Sequence, residues 1–344
     1  SDGSMTTVLN VAMVGSDELA REIAKPSDNR DVDTYVHKEP HEGGYRVLSL
    51  IRPTKFPERL QPLLSALNAA RAGILEVTAI DATLGEALVA FASAGIEHGI
   101  VVVNPLNGEW VDESQVKNLL EQVGLDWQLI ANDGIEIRKE LFALMDKVLD
   151  SLKGAEEAPL VIPIDQYFNV KGIGLVAIGY VQSGRLSVHD EVMILPAGAL
   201  ADTKSLQVMD DDVACATAGD RVGIALRNAK EEHLASASMI VHPAVDDKKS
   251  EVRIPSAVLG CDKTSFKLHK SRFQKKELSV GDIVHIAVDL QFVVGRIEVI
   301  ESDRITVGWD SALFIRGDSP PPALLCQLDN KPRIMGQATD FTSL

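Results

Sequence analysis

The sequence predicts two architectures in one chain: an α/β layer built on a mostly parallel sheet, then all-β barrels. Three observations carry this expectation. Between residues 8 and 153, short apolar runs alternate with segments whose apolar residues recur every three to four positions, the pattern of strands joined by crossover helices. The pattern stops at Gly154-Ala155-Glu156-Glu157-Ala158-Pro159, a small, polar stretch closed by proline. Beyond it no long helical period returns, and short β-rich runs separated by Gly, Asp and Pro continue to the end.

The elements follow in order. Strands are expected at 8–14, 45–51, 74–80, 99–103 and 127–131, where β-branched and leucine side chains cluster. Amphipathic helices are expected at 58–71, 84–94, 112–123 and 135–152. A second boundary falls at His242-Pro243-Ala244-Val245-Asp246-Asp247-Lys248-Lys249, so the domains read as 1–153, 159–243 and 250–344. In the last of these, strands are expected near 251–259, 283–288, 294–300, 304–308 and 323–328.

At 344 residues the chain has room for two or three domains of about 100–200 residues each. No apolar run approaches the roughly 18 residues of a membrane span, and the first residues lack the charged and apolar regions of a signal peptide. Three cysteines, odd in number and far apart, fit a reduced cytoplasm better than a disulfide framework. The eight histidines form no His-Glu-x-x-His pattern, so no metal site is expected. A net charge of −16 argues against general coating of DNA or RNA, because each phosphate contact needs a cation. One region departs from this balance: Lys248, Lys249, Arg253, Lys263, Lys267, Lys270, Arg272, Lys275 and Lys276 face only Glu251 and Asp262 within their window. By charge pattern alone it reads equally as a solvated barrel face or as an RNA-contacting patch.

Two stretches carry a family resemblance. Phe168-Asn169-Val170-Lys171-Gly172-Ile173-Gly174-Leu175-Val176-Ala177-Ile178-Gly179-Tyr180, with Gly219-Asp220-Arg221-Val222-Gly223-Ile224-Ala225-Leu226 downstream, resembles the second domain of EF-Tu-type translation factors. Ahead of it, Gly73-Ile74-Leu75-Glu76-Val77-Thr78-Ala79-Ile80-Asp81 and Gly99-Ile100-Val101-Val102-Val103-Asn104 resemble strands of that family's GTPase domain. The resemblance implies an α/β P-loop-GTPase-like domain followed by two β-barrel domains. In length and in the lack of a fourth domain the chain is similar to the short archaeal SelB-like proteins, including those called EF-Pyl. The implied partners are tRNA, ribosome-associated RNA and proteins of the translation machinery, with no membrane and no DNA. In the family, the two barrels embrace the acceptor and T arms of aminoacyl-tRNA.

The loops that carry the family's chemistry differ here. A phosphate loop needs Gly-x-x-x-x-Gly-Lys-Ser/Thr, so that backbone amides wrap the phosphates and a hydroxyl holds magnesium. This chain reads Gly15-Ser16-Asp17-Glu18-Leu19-Ala20-Arg21-Glu22, with Ala20 for the second glycine, Arg21 for the lysine and Glu22 for the hydroxyl. An ordinary strand-to-helix turn with Asp17 near the helix start is the favoured reading. The Asp-x-x-Gly switch is replaced by Arg52-Pro53-Thr54-Lys55, which lacks the carboxylate and the glycine. His37 and His41, placed in a short preceding loop, are weak substitutes for the family's water-positioning histidine. The guanine-reading Asn-Lys-x-Asp is replaced by Asn104-Pro105-Leu106-Asn107, and Asn107 is not a charged bidentate acceptor. Ala131-Asn132-Asp133-Gly134 matches the last loop only loosely.

Gly172-Ile173-Gly174-Leu175-Val176-Ala177 formally fits a dinucleotide fingerprint, but no helix follows it; the glycines are expected to bend or turn a barrel strand. The leading reading is a translation-factor relative that binds tRNA or the translation machinery without efficient GTP hydrolysis. It needs no cofactor; GTP and magnesium enter only if the divergent pocket still binds. Two alternatives stand beside it: an active GTP-binding factor that uses Arg21 and a carboxylate such as Asp81, and a protein-interaction scaffold.

Overall fold

The computed structural model describes residues 6–29, 32–244, 246–247, 252–253, 257–317 and 320–344. The α/β part runs β1 (Thr6–Val14), α1 (Asp17–Ile23), β2 (Lys25–Asn29), β3 (Val32–His41), β4 (Gly44–Pro53), α2 (Gln61–Ala69), β5 (Ala72–Val77), α3 (Ala82–Ser93), β6 (His98–Val103), α4 (Glu113–Val123), β7 (Gln128–Leu129) and α5 (Gly134–Ser151). These strands form one sheet in the order β2-β3-β4-β1-β5-β6-β7. Neighbours from β4 to β7 are parallel, while β2, β3 and β4 pair antiparallel. Helices cover both faces, which is why β1 and β5 are apolar almost without alternation.

Two adjacent glycines set the spacing of β5 and β6. Gly73 and Gly99 are register partners, and both make room for Trp127. A Cβ on Gly99 would lie 2.3 Å from the indole, and one on Gly73 2.5 Å from it. Phe91 closes the other side of the ring, edge-on at 4.8 Å between centroids.

The rest of the described chain is β apart from two single-turn helices, Ala155–Glu157 and Glu231–His233. Six strands close into a ring: Ile162–Val170, Gly174–Tyr180, Arg221–Arg227, Ala199–Val208, Glu191–Leu195 and Met239–Val241. Gly172 (φ +84°) and Gly174 (φ +105°) turn the first hairpin, with Val170 paired to Gly174, so the apparent dinucleotide fingerprint is a β-turn. A second closed barrel joins Val258–Lys270, Arg304–Arg316, Gln291–Glu301, Ile283–Val288, Ala323–Cys326 and Ile334–Ser343. Closure leaves no unpaired edge strand in either ring.

The three parts pack on one another. Arg333 of the second barrel forms a buried ion pair with Glu86 of α3 and donates from Nη2 to the Pro57 carbonyl at 2.7 Å. Gln182 of the first barrel donates to the Asn68 carbonyl, and Arg71 donates to the Gln182 carbonyl. Tyr180, Ala287, Leu324 and Ile334 join the core formed by α2 and α3.

The sequence expectations miss β2, β3 and the last strand, Ile334–Ser343, while the helix expected to start near Asp17 is α1. They carry β5 to residue 80, whereas it ends at Val77, because Asp81 caps α3 and the intervening residues leave the sheet. The strand expected at 251–259 lies partly outside the described residues; the observed strand runs Val258–Lys270.

Candidate functional site

In an open α/β sheet, ligands bind outside the C-terminal ends of the strands, in the crevice made by the strand-to-helix loops. After β1 that loop consists of only Gly15 and Ser16. Ser16 is the N-cap of α1: its backbone is extended, and its hydroxyl accepts from the Leu19 N–H at 3.1 Å. The helix therefore starts at Asp17, and the loop before it is only two residues long. Ala20, Arg21 and Glu22, the positions that a phosphate loop would use, are helical, as a strand-to-helix turn at Asp17 requires. Ala20 is fully buried in the core, while Arg21 and Glu22 are exposed.

A carboxylate of the chain itself sits at this helix start. Glu76, near the end of β5 and 8% exposed, accepts from the Ser16 backbone N–H at 2.7 Å through Oε1. Its Oε2 accepts from the Asn104 side-chain amide at 2.8 Å. Gly15 packs closely beside it: a Cβ there would lie 3.0 Å from Glu76 Cβ and 3.2 Å from its Oε1. Anions favour a helix N-terminus because unpaired N–H groups and the helix dipole converge there. Here Glu76 supplies that negative charge.

A second network closes the side toward β3 and β4. Arg52 donates from Nε to the Tyr35 hydroxyl (3.0 Å), from Nη1 to the Gly15 carbonyl (3.2 Å) and from Nη2 to Asp33 (3.2 Å). The Tyr35 hydroxyl donates onward to Asp17 at 2.7 Å, and the other oxygen of Asp17 accepts from Arg21 at 2.7 Å. Burial, then the bond to Asp17, pushes the Tyr35 phenol up to about 12, so it stays a proton donor. The same bond, with Arg21, holds Asp17 below the usual carboxylate range. Two arginines and two aspartates thus neutralise one another.

Of the other expected positions only Asn104 reaches this point, through Glu76, whereas Asn107 stands exposed in a left-handed turn (φ +50°). Lys55 is exposed on the turn after β4, where its carbonyl accepts from the Arg59 N–H. His37 and His41 lie in β3 and not in a loop; His37 contacts Glu39 at 3.0 Å and faces Phe142. Asp81 is the N-cap of α3, accepting from the Leu84 N–H at 2.9 Å. No group of metal-ligating side chains occurs among the described residues.

Sequence reasoning missed Glu76, Tyr35 and Asp33. Glu76 left one signal, an acid inside the apolar run Ile74-Leu75-Glu76-Val77, which needs a partner if buried. Tyr35 and Asp33 left none, because β3 was not expected.

No family model matches the sequence. A protein of Methanocaldococcus jannaschii, itself uncharacterized, is 28% identical over 333 residues, covering 95% of this chain and 98% of that one. The selenocysteine-specific elongation factor of the same organism is 39% identical over 99 residues, 29% of this chain and 21% of that one. Elongation factor 1-alpha of Methanosarcina mazei is 26% identical over 206 residues, 52% and 49% of the two chains. Elongation factor SelB of Methanococcus maripaludis, solved with the GTP analogue GppNHp, superposes with a TM-score of 0.74 at 18% identity, covering 99% of this chain and 81% of that one. A bacterial selenocysteine-specific elongation factor gives 0.75 at 18% identity, covering 96% of this chain and 58% of that one.

The chain is similar in sequence to archaeal elongation factors of the SelB and 1-alpha types, and it has the fold of SelB. It spans about half of the elongation factor 1-alpha sequence and a fifth of the archaeal selenocysteine-specific factor. In this three-part fold, the described residues of the basic window from Lys263 to Lys276 fall on the second barrel. Lys248, Lys249 and the side chain of Arg253 lie outside the described residues. Lys263 pairs with Glu298 (2.6 Å), Lys267 with Asp303 (3.6 Å) and Lys270 with Glu277 (2.6 Å), and Lys276 donates to Gln327. Arg272 and Lys275 are exposed with no carboxylate partner among the described residues. Much of the positive charge that the sequence shows in a row is therefore neutralised across strands. Among the described residues no helix is long and apolar enough to cross a membrane.

Proposed function

We propose that this chain is a cytoplasmic translation factor of the SelB-like type that works as a pseudo-GTPase, engaging tRNA or the translation machinery without binding and hydrolysing GTP. The observation that carries this reading is the Glu76 carboxylate on the Ser16 amide at the start of α1. A triphosphate brought to that helix end meets a fixed negative charge within hydrogen-bond distance of the amide it needs. At about 4 Å two like charges repel by roughly 4 kcal/mol at the effective dielectric of a protein surface. The two-residue turn after β1 also leaves too little backbone to enclose phosphates. Titration with fluorescent GTP, GDP and ATP in the presence of magnesium tests the reading. No saturable binding is expected, and a dissociation constant in the micromolar range would defeat it.

The RNA part of the proposal draws on the likeness to SelB and elongation factor 1-alpha, and on Arg272 and Lys275 left exposed on the second barrel. Filter binding with aminoacylated and uncharged tRNA over a salt series measures it. Because most neighbouring lysines are paired, the expected salt slope corresponds to a few phosphate contacts, each contributing about 0.7–0.9 to the logarithmic slope. Absence of binding to either tRNA would remove this part of the proposal and leave the nucleotide reading in place.

A further inference from the structure

The edge of the sheet where the family's nucleotide chemistry resides carries a different kind of surface in this chain. Strands β5, β6 and β7 are neighbours in the sheet, so their C-terminal loops stand side by side, roughly 5 Å from one strand to the next. The residues that follow each strand present a large apolar side chain to solvent: Ile80 after β5 (40% exposed), Leu106 and Trp110 after β6 (56% and 82%), and Ile135 in the first turn of α5 after β7 (68%). A tryptophan at 82% exposure has most of its apolar surface in water, which is unfavourable unless something covers it.

The β6–α4 loop is built to hold Trp110 in place. Leu106-Asn107-Gly108-Glu109 is a hydrogen-bonded turn in which the Glu109 N–H donates to the Leu106 carbonyl at 2.8 Å. Its two central residues, Asn107 (φ +50°) and Gly108 (φ +74°), are both left-handed, the geometry that Asn-Gly favours. Immediately after Trp110, Val111 is buried in the core with α3 and α4, and Asp112 caps α4. The indole is therefore carried on a backbone fixed at both ends.

The loops that carry these side chains are acidic in sequence, and the nearest lysines, Lys117 and Lys139, follow within α4 and α5. Residues 78–85, 104–116 and 130–137 contain Asp81, Glu109, Asp112, Glu113, Asp133 and Glu136, and no lysine or arginine. Asp81, Asp112 and Asp133 are N-caps of α3, α4 and α5, so these carboxylates are held in position by the helices. Arg138, one residue further on, is turned away to the carbonyls of Glu22 and Ile23. An acidic ring repels RNA phosphates, and it repels a second copy of the same ring.

We propose that this edge is a docking surface for a basic protein segment bearing a large apolar side chain, with Trp110 as the anchor and the six carboxylates as the surround. Tryptophan is enriched among interface hot spots, and complementary charge around an interface steers and selects the partner. The inference deepens the function proposed above, since it takes this edge as free of nucleotide, yet the two fail separately. Nucleotide titration bears on Glu76 and α1, and peptide binding bears on Trp110.

The test uses fluorescein-labelled peptides in which one leucine or phenylalanine is flanked by lysines and arginines, read by anisotropy against the full chain. Trp127 and Trp309 are buried, so a blue shift of the emission on binding reports the covering of Trp110. Binding is expected to weaken at least tenfold in Trp110→Ala. In the combined variant Glu109→Gln, Glu113→Gln, Glu136→Gln its salt dependence should flatten while the melting temperature stays unchanged. Equal affinity for Trp110→Ala, or equal affinity for the same peptides with glutamate in place of lysine, would overturn the proposal. So would a single-stranded RNA that binds more tightly through Trp110, or a Trp110-dependent dimer in sedimentation.

Discussion

The Glu76 carboxylate accepts a 2.7 Å hydrogen bond from the backbone N–H of Ser16 and so takes the anion position at the start of α1. The two residues are 60 positions apart and meet because β1 and β5 are neighbouring parallel strands ending at the same edge. The relationship explains why the chain keeps the family's fold while its first loop is short: the helix end already has its negative charge.

Removing that charge tests its structural worth. Glu76→Gln keeps the shape but replaces a charge-assisted bond with a neutral one, and is expected to destabilise the chain by about 1–2 kcal/mol. Glu76→Ala, which leaves Ser16 N–H and the Asn104 amide both unmet, is expected to cost about 2–4 kcal/mol. Urea unfolding of the parent and both variants measures the difference, and a Glu76→Gln variant as stable as the parent would mean that the charge contributes nothing.

The contact between the α/β part and the second barrel rests on Arg333 and Glu86, whose side chains are 14% and 11% exposed. Arg333→Met leaves Glu86 buried without its cation and the Pro57 carbonyl without its donor, an expected loss of about 3–5 kcal/mol. Adding Glu86→Leu should recover a large part of it, since the stranded charge is then gone. A double-mutant cycle in guanidinium provides the readout; strictly additive losses would contradict the pairing.

Gly99→Ala places a methyl 2.3 Å from Trp127, a ring that Phe91 prevents from sliding aside. Overpacking of this kind costs about 1–3 kcal/mol. The expected result is a lower melting temperature with Trp127 emission shifted to the red as its seat opens. Unchanged emission would show that the strands, and not the ring, give way.

Asp220 supplies a pH dependence with an unusual sign. Burial, only partly offset by a hydrogen bond from the Thr217 N–H at 2.8 Å, raises its carboxyl from 3.8 to about 6. Its folded value lies above its unfolded one, so its contribution is fully present below about pH 4 and is lost as pH rises through about 6. Above that, the buried charge opposes folding by an amount on the order of 1–3 kcal/mol. Asp220→Asn should therefore stabilise the chain at pH 8 and leave it nearly unchanged at pH 4. Unfolding curves at both pH values measure the effect; a variant less stable at pH 8 would reverse the assignment.

Local periodicity made the change from α/β to all-β, the four longer helices and most strands legible in the sequence, because burial on one face or both writes a period into neighbouring residues. The strands β2 and β3 were hidden because Lys25–Asn29 and Val32–His41 are largely polar and pair at the open edge of the sheet, where no alternation is imposed. The seven-residue α1 is too short to show a helical period. The loss of the family's loop residues was visible one position at a time.

What stands in their place was decided only by tertiary structure. Glu76 with Ser16, Arg52 with Asp33 and Tyr35, and the paired lysines of the second barrel are contacts between residues far apart in the chain or on neighbouring strands. Sequence alone determined which residue types were present and which elements they would form. Which charges met, and so whether a site was open or filled, depended on strand order and register, and these are properties of the folded sheet.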